Sequence, residues 1–288
     1  MNKPKVAVAL LIVILVCSSG MNFYQYTQNT AATAKNDAAQ MRLEMTSLLS
    51  QVQLQVNNEL NKLDAALAEA CAQLSTTDLQ GIQARSILSS LAASNPLIVN
   101  AATCDAEDVL LAVEPSQYSS IEGEDISGQE QNLQMHQTMR PAMSGMILLV
   151  EGFYGVVLVA PIFDSEATFV GSLSIVIQPS QLIKGVAEST VAGKPDYSFF
   201  AMQTDGRMIY DADPAQEGKM TFSDPAYANF PELIVLAHQV AAENFGYGTY
   251  QYHETLASQD VVKKEAYWAT IGIYGAEWRL VMVHVLDA

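Results

Sequence analysis

Two stretches of this chain carry the same punctuation in the same order, and that echo constrains the fold more than any single residue does. In the first, an apolar run over 95–103 reaches Cys104-Asp105, a second run over 109–113 ends in Glu114-Pro115, and Glu122-Gly123 follows. In the second, 197–203 reaches Asp205-Gly206, 208–210 leads to Asp213-Pro214, and Glu217-Gly218 comes next. Each copy then runs into a helical pattern and further β-rich segments. Self-similarity at a fixed spacing predicts two copies of one supersecondary unit.

The first copy reads as strands at 98–104 and 109–113, a helix near 129–139, and two or three strands between 146 and 177, the last two, 153–163 and 168–178, joined at the hairpin turn Asp164-Ser165-Glu166-Ala167. The second reads as strands at 198–203 and 207–211, a helix over 231–243 opening on Pro231, and strands at 248–253, 266–273 and 278–285. That order predicts an α+β protein with two antiparallel five-stranded sheets, each carrying helices on one face. Upstream, Met41, Met45, Leu48, Val52, Val56, Leu60, Leu63, Leu67, Cys71 and Leu74 recur three or four apart, which predicts one long amphipathic helix over 31–74. Some 44 residues of helix make a rod of roughly 65 Å. Its apolar stripe needs cover, from the two repeats or from a second copy in a homodimer, although a strict seven-residue repeat is absent. A second helix over 79–93 should stop before Asn95-Pro96.

At the N-terminus Lys3 and Lys5 precede twelve apolar residues, 6–17, and the next charge is Lys35. This is the pattern of an export signal or membrane anchor over 1–30, which predicts that the remainder lies outside the cytoplasm, tethered to the membrane. An uncleaved anchor, a lipidated Cys17 and a cleaved signal are all compatible with it. After Val285 only three residues follow, so output is expected through a separate transmembrane signalling protein. Acidic residues outnumber basic ones by 31 to 14, which disfavours a nucleic-acid partner. In an oxidising compartment Cys71 and Cys104 are candidates for a disulfide fastening helix to sheet, with two buried thiols as the alternative.

The four histidines, His136, His238, His253 and His284, lack metal-ligand spacing, and the chain has neither a nucleophile elbow nor a phosphate-binding glycine loop. No catalytic residue, metal or cofactor is therefore expected. Asp164 and Glu166 resemble paired carboxylates but sit at a turn. Trp268, Trp278, Tyr250 and Tyr252 alternate with smaller residues along strands, as sheet packing does.

The long helix, the two sheet units and the phrases Phe153-Tyr154-Gly155, Ala160-Pro161-Ile162-Phe163-Asp164, Gly171-Ser172-Leu173, Asp205-Gly206-Arg207, Glu265-Ala266-Tyr267-Trp268 and Glu277-Trp278-Arg279-Leu280 resemble the double Cache extracellular sensor domains of bacteria and archaea, over roughly residues 31–286. The resemblance implies tandem PAS-like (Cache) subdomains: a membrane-distal one over 95–180 and a membrane-proximal one over 197–288, after a stalk and second helix over 31–94 and with a linker over 181–196. It also implies a small ligand captured in the distal subdomain.

Within that frame Arg140, the single basic residue between Arg85 and Lys184, is the leading ligand contact: a guanidinium clamps a carboxylate through two hydrogen bonds. A salt bridge to Glu130 or Glu151, or plain exposure, is the alternative. Tyr118, His136, Ser144 and Tyr154 are companion candidates, each of which also reads as a satisfied polar group or a half-buried aromatic. Amino-acid-binding relatives carry a Tyr, Arg and Trp series and an aspartate where this chain has Gln129-Glu130-Gln131-Asn132-Leu133 and Ser174-Ile175-Val176-Ile177. A carboxylate or an apolar or aromatic ligand is expected in place of an amino acid. The expected function is a membrane-tethered extracytoplasmic sensing module acting through a partner. The second reading is a structural or adhesive surface protein whose distal cavity is filled by Met135, Met139, Met143 and Met146.

Overall fold

The computed structural model describes residues 3–254, 258 and 260–286, and within the first helix no side chain at 3–26, 29–32 or 34. The apolar run 6–17 and Cys17, where anchor and lipidation were expected, lie outside the described side chains. Among the described residues no helix is long and apolar enough to cross a membrane.

Helix α1 runs over Lys3–Leu74, so the helix predicted from residue 31 is continuous with the segment before it. The chain divides into two compact units, 1–47 and 48–288. Among the described residues the first is helix alone. In the second, α1 buries Leu49, Val52, Val56, Leu60, Leu63, Leu67 and Leu74, which keep the three-and-four spacing read from the sequence. Polar groups on the same helix hold it to one turn of the fold. Gln53 Nε2 donates to the Thr270 carbonyl at 2.9 Å, the Gly272 N–H donates to Asn57 Oδ1 at 3.2 Å, and the Tyr274 hydroxyl donates to Asp64.

Helix α2 (Ile82–Ser94) leads into β1 (Ile98–Cys104) and β2 (Leu110–Glu114), then α3 (Glu130–Thr138), β3 (Ala142–Met143), β4 (Ile147–Leu148), β5 (Tyr154–Phe163) and β6 (Phe169–Ile177). The sheet order is β2-β1-β6-β5-β3, with β4 also paired to β5. Helix α4 (Pro179–Thr190) precedes the second copy: β7 (Tyr197–Gln203), β8 (Met208–Asp211), α5 (Pro231–Ala242), β9 (Phe245–His253), β10 (Val261–Ile271) and β11 (Trp278–Leu286), ordered β8-β7-β11-β10-β9. In both sheets the strands stand second, first, last, penultimate, third, and every neighbouring pair is antiparallel. The long helix and tandem antiparallel units expected from the echo are therefore present.

Two differences have local causes. The third strand of the first copy is broken into the two-residue β3 and β4, with Ser144, Gly145 and Met146 between them. The segment expected to be a linker over 181–196 is mostly α4, because Pro179 opens it with a preset φ and Leu182, Ile183 and Ala187 are buried at helical spacing. Burial of those three outweighs the helix-weakening Gly185 between them. A close approach fixes one glycine: Gly171 has φ +147°, and a Cβ there would stand 2.2 Å from the Cys104 carbonyl.

The two sheets touch through specific polar contacts. The Met146 N–H donates to Gln203 Oε1 at 2.5 Å, and the Arg207 guanidinium stands 5.8 Å from the centre of the Tyr154 ring. The disulfide expected between Cys71 and Cys104 is not formed. Both are free thiols, Cys71 half-buried on α1 and Cys104 buried at the end of β1, and burial pushes both up to about 12.

Candidate ligand-binding site

The second sheet leaves a hollow between its inner face and the elements that cover it. Strands β7, β8, β9 and β11 supply Phe200, Met202, Met208, Tyr250, Tyr252 and Val283, and α5 closes the other side with Leu233, Leu236, Ala237 and Val240. Between them lies a cavity of about 480 Å³, within the ~300–1,000 Å³ typical of small-molecule sites.

Two one-turn 3₁₀ segments, Pro214–Gln216 and Pro225–Tyr227, each begin on an aspartate whose carboxylate accepts the N–H two residues on: Asp213 from Ala215 and Asp224 from Ala226. These turns position Gln216 and Tyr227. The Tyr227 hydroxyl donates to Gln216 Oε1 at 2.5 Å, and Gln216 Nε2 donates to the Tyr252 hydroxyl at 3.4 Å, so one amide orients two phenols on the cavity wall. Burial raises the phenols of Tyr227, Tyr250 and Tyr252 above their ordinary range, so all three stay protonated at physiological pH.

Of the five charged residues that line the same space, Asp211 and Lys264 titrate away from their ordinary values. Asp211, the last residue of β8, accepts the Asp213 N–H on Oδ1 at 2.8 Å. Burial pushes its carboxyl up to about 7; the Asp213 N–H and the positive charge of Lys264 act in the opposite direction without cancelling it. Lys264, on β10, donates to the Glu254 carbonyl at 3.2 Å and stands 5.8 Å from the centre of the Tyr252 ring. Burial lowers its pKa, against the pull of Asp211 and Glu254. Thr221 also lines the cavity; it is 2% exposed and its hydroxyl has no hydrogen-bond partner.

The first sheet differs. Its inner face encloses only about 20 Å³, bounded by Asn100, Gln129, Glu151, Ser174 and apolar neighbours. Met135 packs there on Ala142 and Val159, and Met143 is buried, whereas Met139 is exposed. Of the four methionines expected to fill this unit, two are buried.

The residues singled out from the sequence are not brought together. Arg140, expected to clamp a carboxylate, is exposed on the turn after α3 and lines neither of these two cavities. Tyr118 packs on the cluster of Ala102, Leu110, Val113 and Ile121. His136 hydrogen-bonds Asp108 at 2.8 Å and presents its ring edge-on to Phe169. Ser144 is buried, donating to the Gly145 carbonyl and accepting the Val157 N–H. Tyr154 is half exposed beneath Arg207. Asp164 closes its own turn by accepting the N–H groups of Glu166 and Thr168.

Sequence reasoning missed Asp211, Lys264, Thr221, Gln216 and Tyr227. One signal was available. Lys264 is in phase with Val262, Ala266 and Trp268, so a lysine falls among apolar residues on the inward face of its strand. A second lies in the echo: counting back from the proline that closes each copy, Asp211 corresponds to Ala112. Tyr250 and Tyr252, read as packing, do pack in the core and also line the cavity.

The family described as HK/GC/Chemotaxis protein-like, sensor domain matches residues 58–179. Among solved structures, an extracellular ligand binding receptor from Desulfohalobium retbaense shares 34% identity over 82% of this chain with a TM-score of 0.70, and this chain spans 39% of that one. The ligand binding domain of the Pseudomonas aeruginosa amino acid chemoreceptor PctB, in complex with L-Gln, matches at 12% identity and TM-score 0.59 over 83% of this chain and 89% of its own. The ligand-binding domain of the Pseudomonas fluorescens chemoreceptor CtaA, in complex with L-serine, matches at 11% identity and TM-score 0.59 over 85% and 98% of the two chains. No curated protein matches. Residues 58–179 match the HK/GC/chemotaxis-type sensor-domain family, and across both sheets the chain has the fold of double Cache extracellular ligand-binding domains.

Proposed function

We propose that the chain is an extracytoplasmic sensor domain that binds a small organic molecule in the cavity of its second sheet. The observation that carries this reading is the contrast between the repeats: one topology, used twice, encloses about 480 Å³ in the second sheet and about 20 Å³ in the first. The larger space has an apolar wall, an oriented tyrosine pair and charged groups of both signs, the composition of a ligand site. The sheet topology and the matched family support the sensor class. The location departs from the distal capture that the double Cache resemblance implied. In this reading α1, bonded to the turn after β10, carries occupancy to the output, whether that lies in the same polypeptide or in a partner protein.

The test is a thermal-shift screen of the full chain in detergent against amines, carboxylates, amino acids and neutral aromatics. A ligand that binds the folded state raises the melting temperature by mass action. The reading holds if hits are lost on narrowing the second cavity with Ala237→Phe and kept on filling the first with Ser174→Val. The reverse pattern places the site in the first sheet and sinks it.

A further inference from the structure

We propose that the second cavity takes an organic cation, an ammonium carried on an apolar or aromatic body, with the charge received by Asp211 and the body lying against the tyrosine wall and α5. This rests on the reading of that cavity as the ligand site.

Charge placement is the first argument. Among the described residues Asp211 forms no ion pair, and its single hydrogen bond occupies one carboxylate oxygen. Lys264 acts on this carboxylate without pairing with it, and a ligand cation in contact with Asp211 supplies the partner that burial calls for. The remaining acids of the lining, Asp196, Asp213 and Glu254, bias the potential of the site negative, which draws cations in and opposes anions. Lys264 is the sole basic residue of the lining, and it is already engaged by the Glu254 carbonyl and the Tyr252 ring.

The wall supplies the second argument. Tyr227, Tyr250 and Tyr252 line one space, and Lys264 already stands over one of these rings. The ring faces that attract this lysine offer the same quadrupole to a ligand ammonium. Their phenols remain neutral, so they add acceptors without adding charge.

The third is independent of charge. The Thr221 hydroxyl is buried at the cavity lining without a partner. Such a group is unfavourable when left unmade and is satisfied by a ligand N–H. An ammonium has three donors and no acceptor, which fits a site whose open polar atoms are a carboxylate oxygen and a hydroxyl.

The experiment is titration calorimetry on the full chain in detergent with 2-phenylethylamine, its neutral analogue 2-phenylethanol, its anionic analogue phenylacetate, and phenylalanine as the zwitterion. Choline and putrescine extend the cation series. At least one amine is expected to bind, with affinity lowered about tenfold or more by Asp211→Asn and raised about threefold by Lys264→Met, which removes a competing like charge. Binding of phenylacetate but no amine overturns the proposal. So does binding of phenylalanine alone, lost in both Asp211→Asn and Lys264→Met, which identifies a zwitterion site. If 2-phenylethanol or phenylacetate binds and Ala237→Phe or Val283→Phe abolishes it, the cavity stands as the site and only the cation assignment falls. If every probe that binds ignores both cavity-narrowing variants, the cavity reading itself falls. If no probe binds, the cation assignment falls with it. Two narrowing variants, on α5 and β11, guard against one failing to fold.

Discussion

The backbone N–H of Met146 donates to Gln203 Oε1 at 2.5 Å, so a residue between two short strands of the first sheet is held by the last residue of the first strand of the second. That amide also packs beside Gly145, where an added Cβ would lie 3.5 Å from it. Gln203→Ala leaves the Met146 N–H without its acceptor, which is expected to lower stability by about 1–2 kcal/mol. Urea unfolding with an unchanged slope checks it; a shift below the error of the fit refutes it.

Asp211 sets a pH dependence with a definite sign. Its carboxyl is pushed up from 3.8 to about 7, so between those pH values the folded state holds a proton that the unfolded state has released. Stability from this group is present below the unfolded value and falls as pH rises towards 7. Asp211→Asn keeps an oxygen for the Asp213 N–H and removes the charge, so the unliganded variant is expected to gain roughly 1–2 kcal/mol over the wild type at pH 8 and little at pH 4. Equal differences at both pH values refute it.

Thr221→Val replaces the unpartnered buried hydroxyl by a methyl of similar shape. Unliganded stability is expected to rise by up to about 1 kcal/mol, while affinity for the bound amine falls. Loss of stability in the free variant would mean that the hydroxyl is satisfied after all.

Arg279 is 2% exposed and donates to the carbonyls of Val240 and Ala241, to Asn244 Oδ1, to Thr270 Oγ1 and to Glu277. It finishes the C-terminal end of α5, the helix that closes the cavity. Arg279→Met leaves these acceptors open and is expected to destabilise by about 2–4 kcal/mol. Arg279→Lys should recover only part of that, since one ammonium cannot reach what a planar fork does. Melting temperatures of the two variants decide the order.

Cys71 and Cys104 are expected to remain reduced in the folded protein and to resist alkylation at pH 8 until it is unfolded, because burial raises both thiols to about 12. Peptide mass analysis after differential alkylation checks both points. A linked Cys71–Cys104 peptide would contradict them.

The sheets and helices were legible because their signals are periodic and repeated. Val, Ile and Leu runs over 154–163 and 169–177, and the matching punctuation before Pro115 and Pro214, marked the succession of elements along the chain twice. The site was not, for a physical reason. Whether an inner face is hollow depends on the summed volumes of side chains from separate elements, such as Met135 against Ala142 in one unit and Ala237 against Val283 in the other. No local pattern carries that sum. Arg140 stood out by rarity along the chain, whereas Lys264 mattered by its phase on β10, and rarity does not place a side chain inside.

Gln53, Asn57 and Asp64 hold the end of β10 and the turn after it, and at 3.6 residues per turn these three positions fall on one face of α1. Spinning this part of the helix about its axis would break all three bonds together, whereas leaning it with the strand keeps them. The same strand carries Lys264 towards its other end. If the second cavity is the ligand site, a shift of β10 around that lysine would therefore reach this part of α1 as a lean and not as a rotation about its axis.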